Sequence, residues 1–235
     1  MADHSSVSTL ANIFTAPSAA FAALKERPNP WLALFVVLIG YCAVSYVYLQ
    51  VVDLAWMLDR QLGQAGTLTD AERERAVEGA LRISPTVYGV IGAVSTSLSI
   101  LIVLALVGLY FTAVSFATND GVKFRQWFAM ISWSMMPVVF GLVASFVNLL
   151  VSDARFLPQE QLNPLGFGNL LGIDSEGMPV LQRILLSLDI TTLWSVVLQV
   201  VGYQVFSQRS IVRSAVVVLG PLAVIVLVGV IAAAF

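Results

Sequence analysis

Five long stretches almost free of charge constrain this chain more than any other feature. They cover residues 31–52, 86–118, 127–151, 184–206 and 214–235. A helix needs about 20 consecutive apolar residues to cross the roughly 30 Å hydrocarbon core of a bilayer. All five meet that length, and Asp189 is the only charged side chain inside any of them. Composition agrees. Of 235 residues, 58% are hydrophobic and 11% charged, against about 25% charged in an ordinary soluble domain, and the mean hydropathy is +0.88. So few charges cannot cover that much apolar surface in water. The pattern predicts an all-α polytopic membrane protein, a five-transmembrane-helix bundle whose residues 31–235 form one transmembrane domain in contact with the lipid bilayer.

The second stretch would reach about 50 Å as a single helix. Its middle, residues 96–107, has no proline, asparagine or charge to make a turn. One tilted helix projecting beyond the lipid is expected. The first stretch is longer than the 7–15-residue core of a signal peptide and starts at residue 31, so it is expected to be retained as a span. Five spans place the termini on opposite sides. Six basic residues fall on the N-terminal side (Lys25, Arg27, Lys123, Arg125, Arg209, Arg213) and six on the other (Arg60, Arg73, Arg75, Arg82, Arg155, Arg183). The number is even, but the density is not. Loops 119–126 and 207–213 are short and hold two basic residues each, whereas loops 53–85 and 152–183 are long and dilute theirs with acids. Short basic loops mark the cytoplasmic side. The N-terminus is therefore expected in the cytoplasm and the C-terminus across the cell (inner or plasma) membrane.

Outside the spans, residues 1–30 read as an interfacial amphipathic segment. Ser5 or Ser6 could cap a short helix that presents Val7, Leu10 and Phe14. A second helix after Pro17 would present Phe21 and Leu24. Thr69-Asp70-Ala71-Glu72 has the spacing of a capping box, and the charged run to Arg82 predicts a solvated helix leading to Pro85. The segment 162–172 is apolar, but Pro164 and its glycines forbid a span. It is expected to lie on the outer interface or over the bundle.

Residue types exclude most chemistry. The single cysteine, Cys42, permits no intrachain disulfide and no cysteine-built metal site. The single histidine, His4, lies in a polar tail. No phosphate-binding glycine loop, zinc-protease helix or serine elbow occurs. No catalytic set, cofactor or metal is expected, and a net charge of -2 without a basic run argues against nucleic acid.

Two polar stripes remain. In lipid, small and polar residues mark packed helix faces. Ser134, Pro137, Gly141, Ser145 and Asn148 fall within about 60° on the third span, and Pro137 should kink it. Asp189, Thr192, Val196, Gln199 and Tyr203 fall within about 80° on the fourth. A buried carboxylate is a functional candidate by default. Asp189 would lie about 8 Å from the start of its span, where hydrogen bonding to the adjoining loop is the competing role.

Several short segments, taken in order, resemble the Yip1-domain family. Ile13-Phe14-Thr15-Ala16-Pro17, then Phe21, then Pro28-Asn29-Pro30-Trp31 resembles its opening. Phe124-Arg125-Gln126-Trp127 leading to Pro137 resembles the start of its third helix. Leu188-Asp189-Ile190, Leu193-Trp194, Gly202, Ser210 and Ala215 resemble its last two helices. The resemblance implies an all-α five-span domain with a cytoplasmic N-terminus. Eukaryotic relatives are linked to vesicle trafficking, partner membrane proteins and Rab GTPases. This chain lacks their long N-terminal region and their Asp-Leu-Tyr-Gly-Pro motif, and looks like the short prokaryotic branch. The expected function is a non-enzymatic scaffold or adaptor working through helix packing and partner recruitment, with membrane-protein partners or a homo-oligomer. The alternative is a small-solute or ion carrier with a polar site between spans three and four.

Overall fold

The computed structural model describes residues 6–65, 68–173 and 188–234. Eleven α-helices run among the described residues: α1 (Ser6–Thr15), α2 (Pro17–Glu26), α3 (Trp31–Val51), α4 (Leu54–Ala65), α5 (Asp70–Leu81), α6 (Pro85–Thr118), α7 (Phe124–Ser134), α8 (Val138–Val151), α9 (Phe167–Leu171), α10 (Ile190–Ser207) and α11 (Ile211–Ala234). The only extended pairing among them is an antiparallel bridge between Gly166 and Asp189. Helices α3, α6 and α10 are each long and apolar enough to cross a membrane, and α7 with α8 makes a fourth candidate if the bent pair is one span. Helix α11 is apolar and 24 residues long.

Local chemistry sets the boundaries. Pro17 opens α2, where its missing N–H and fixed φ suit a helix start. The side-chain oxygen of Asn29 accepts from the Trp31 N–H at 3.2 Å as α3 begins. Thr69 and Glu72 form the expected capping box on α5: the Glu72 N–H donates to the threonine hydroxyl, and the Thr69 N–H donates to the glutamate carboxylate. Helix α6 runs 34 residues unbroken, as a stretch without turn residues requires. At Pro137 the expected kink is a 43° bend between α7 and α8. The proline has no N–H for the Trp133 carbonyl, and the Met136 N–H takes that carbonyl at 3.2 Å in a tighter turn.

The chain divides into two compact units. The first comprises residues 1–38, 99–140 and 190–235. Its core joins α2, α7 and α10. Ile13, Ala20, Phe21 and Leu24 are buried there, and Leu10 and Phe14 pack against the same core. The N-terminal face expected to rest on the membrane surface is thus largely covered by protein, although Val7 remains 71% exposed. Helix α10 fits closely because position 202 is glycine: a Cβ there would stand 2.7 Å from Met130 and 3.3 Å from Phe21. The Lys25 ammonium donates to the Phe206 carbonyl at 2.6 Å, at the C-terminal end of α10 where the helix dipole favours a cation. The Gln126 amide donates to the Lys25 carbonyl at 2.8 Å, and the Trp133 indole donates to the Asn29 carbonyl at 2.8 Å. These bonds tie the N-terminal helices to α7 and α10.

The second unit comprises residues 39–98 and 141–189. Here α3 and α6 meet along small and weakly polar residues. A Cβ at Gly92 would stand 2.2 Å from Leu49, and one at Gly89 would stand 2.5 Å from Gln50. The Cys42 sulfur and Ser97 hydroxyl lie 2.8 Å apart, and the Ser45 and Thr96 hydroxyls 3.3 Å apart. Without a hydrophobic drive between helices in lipid, such close approach and hydroxyl pairing supply the association. Beyond α3, Asp53 receives the Trp56 N–H at 3.1 Å and pairs with Arg155 at 3.2 Å. These bonds hold its carboxyl below the ordinary aspartate pKa, the Trp56 amide contributing most. Arg60 pairs with Glu160 at 2.9 Å, and Arg73 with Asp59 at 2.9 Å.

The start of the fourth apolar helix differs from the expected one. Helix α10 begins at Ile190, and residues 184–187 of the expected span lie outside the described residues. Asp189 stands immediately before the helix instead of inside it. It is held in the extended pairing with Gly166, while the Phe167 N–H donates to the Leu188 carbonyl at 2.9 Å. A carboxylate beside a helix N-terminus is favoured by the dipole.

Candidate functional site

The polar residues singled out in the sequence divide between the two units. Ser134, Pro137, Thr192, Gln199 and Tyr203 belong to the first; Gly141, Ser145, Asn148 and Asp189 belong to the second.

In the first unit Ser134 and Pro137 are buried. The Ser134 hydroxyl turns back to the Met130 carbonyl at 2.8 Å. Thr192 and Gln199 are half-buried, whereas Thr191, Ser195, Leu198 and Gly202 line the buried face of α10. That face is rotated by about one residue from the expected stripe, because it follows glycine and small residues that let α10 approach its neighbours. Tyr203 is buried and stacks on Trp127 with ring centroids 5.1 Å apart, and Phe111 and Phe206 complete the cluster. The Trp127 indole N–H is buried without an acceptor, the only such side-chain nitrogen or oxygen among the described residues. Trp127 was not among the candidate site residues; its place at the end of Phe124-Arg125-Gln126-Trp127 was the available signal. At the edge of this unit Asp120 is paired with Arg209 at 2.8 Å. Arg27, Lys123, Arg125 and Arg213 are exposed.

In the second unit Asp189 is 4% exposed. Its carboxylate accepts from the Asn163 side-chain amide, and the Asn163 oxygen in turn accepts the Leu165 N–H at 3.0 Å. Asn169 donates to the Asn163 carbonyl at 2.8 Å, and Asn148 to the Leu162 carbonyl at 3.0 Å. The Tyr48 hydroxyl donates to the Leu157 carbonyl at 3.0 Å. Asn148 and Asp189 therefore meet the same segment, residues 161–165, and fasten it. This satisfies backbone groups in a stretch that glycine and proline keep out of regular structure. Asn163 was not among the sequence candidates; its place in Asn163-Pro164 was the available signal. Ser145 bonds the Gly141 carbonyl at 2.9 Å within α8.

What this geometry can do is hold. Asp53, Asp120, Glu160 and Asp189 each have a donor or cation beside them, and no group of three His, Cys, Asp or Glu among the described residues could ligate a metal. No curated protein and no solved structure matches the chain. The family model for the Yip1 domain matches residues 11–233. This span includes every quoted segment of the resemblance and all four candidate membrane-crossing elements. The chain is an integral membrane protein and belongs to the Yip1 domain family.

Proposed function

We propose that this protein is a non-enzymatic membrane scaffold or adaptor of the Yip1 type that recruits membrane-protein partners or a second copy of itself. In this reading it crosses the cell membrane five times as one transmembrane domain, with a cytoplasmic N-terminus. Its role is membrane organisation of a trafficking-like kind. One observation carries the reading: the polar side chains near the spans bond to carbonyls and loops of their own units, while Arg27, Lys123, Arg125 and Arg213 stand exposed on the first unit. Loops 119–126 and 207–213 of the first unit are short, and each holds two basic residues. Short basic loops mark the cytoplasmic side, where an exposed cationic surface meets partners.

The experiment is site-specific photocrosslinking in native membranes, with the crosslinker at position 213 and charge-neutral Arg27→Gln as comparison. A discrete protein adduct that weakens in the variant supports the adaptor. Absence of any protein adduct contradicts it.

A further inference from the structure

We propose that the end of α6 and the start of α7 form a binding site for an acidic glycerophospholipid, in addition to any partner-binding role. The site is a cavity of about 440 Å³ within the first unit, lined by Thr112, Ser115, Phe116, Val122, Lys123 and Phe124 among others. Its walls are mostly apolar, and Lys123 is the only charged residue lining it. Lys123 is exposed and in no ion pair among the described residues. The nearest acid in sequence, Asp120, has a side chain that is 4% exposed and already paired with Arg209. It therefore leaves the positive charge of Lys123 uncompensated.

The cavity also spans a change of polarity. It begins in the last apolar turns of α6 and ends in the polar segment 119–123. Phe116, in the last turn of α6, is 87% exposed and offers an uncovered apolar ring to an acyl chain. Gly121 adopts φ of +71° and has nothing within 4 Å of where a Cβ would be, which keeps the upper wall open. Phe124 and Arg125 are the first residues of α7, and their N–H groups have no acceptor one turn back. A phosphodiester on Lys123 would meet these donors while its first acyl carbons lie along Phe116, Val122 and Thr112. Headgroup charge and acyl chain are both needed to fill such a cleft, which favours a lipid over free phosphate. The side bearing this rim is the side on which short basic loops place the cytoplasm, where acidic lipids attract basic residues.

The test measures binding of phosphatidylglycerol to the purified full-length protein by native mass spectrometry. Phosphatidylcholine serves as the neutral control and glycerol phosphate as the soluble headgroup. Phosphatidylglycerol is expected to bind in preference, with Lys123→Gln weakening it about fivefold and leaving phosphatidylcholine unchanged. Phe116→Ser keeps the charge and should also weaken it. Equal binding of both lipids, an unchanged preference in Lys123→Gln, or full displacement by glycerol phosphate would each overturn the site. Both substitutions are at exposed positions, and an unchanged melting temperature in detergent confirms that the variants are folded.

Discussion

The hydroxyl of Tyr110 donates at 2.9 Å to the carbonyl of Val217, the carbonyl that Pro221, four residues on in α11, leaves without an amide partner. A freed carbonyl in hydrocarbon must find a donor within the protein. Gly220 makes room for it, since a Cβ there would stand 3.2 Å from the tyrosine oxygen. Tyr110→Phe should cost about 1 kcal/mol of stability in detergent or bicelles. The cost should largely vanish in a Pro221→Ala background, where an amide returns to Val217. A double-mutant cycle by denaturant or thermal unfolding reads this directly. Equal losses in both backgrounds would show that the two residues are uncoupled.

Gly202 is the contact on which α2, α7 and α10 close. Gly202→Ala places a methyl against Met130 and Phe21 and should destabilise the first unit by about 1–3 kcal/mol, the usual cost of overpacking. The N-terminal helices should then become more sensitive to limited proteolysis between residues 1 and 30. Proteolysis at the wild-type rate would contradict the packing described.

Asp53 supplies a pH dependence. Its carboxyl sits below the ordinary aspartate pKa, chiefly through the Trp56 N–H and then through Arg155. A lowered carboxylate pKa stabilises the fold fully above the unfolded value of about 3.9. That contribution is lost as pH falls through the lowered folded value. Melting temperature should therefore fall below about pH 4 more steeply in wild type than in Asp53→Asn. Parallel curves would remove Asp53 from the account.

Asp189 separates the scaffold from the carrier. Its carboxylate fastens the loop through Asn163, so Asp189→Leu should lower stability by about 1–3 kcal/mol by leaving that amide without its acceptor. Asp189→Asn, which keeps an acceptor oxygen, should cost less. Proteoliposome flux of small solutes and ions should stay at the protein-free level in wild type and in Asp189→Asn alike. A wild-type flux abolished by Asp189→Asn would instead support a carrier.

Much of this architecture is legible along the chain because it depends on local rules. The Thr69–Glu72 box needs only its four-residue spacing, the Pro137 bend only a missing amide, and the unbroken α6 only the absence of turn residues. Asp189 shows where such rules stop. Hydropathy continues through residues 184–189, yet the extended pairing with Gly166 depends on a segment more than twenty residues away. The same holds for the burial of Phe21 and Leu24. An apolar face at helical spacing reads alike whether lipid or another helix covers it, and only the close approach at Gly202 decides. The Tyr110–Val217 bond joins two residues that neither periodicity nor charge connects.

The five-fold crossing is tested most directly by cysteine accessibility in intact cells, using Ala22→Cys, Ala76→Cys and Phe235→Cys separately in a Cys42→Ala background with a membrane-impermeant maleimide. Ala22 and Ala76 are exposed residues on α2 and α5. The account predicts labelling from outside at positions 76 and 235, with position 22 labelled only after permeabilisation. Labelling of position 22 together with position 76 in sealed cells, or of position 235 only after permeabilisation, would contradict it.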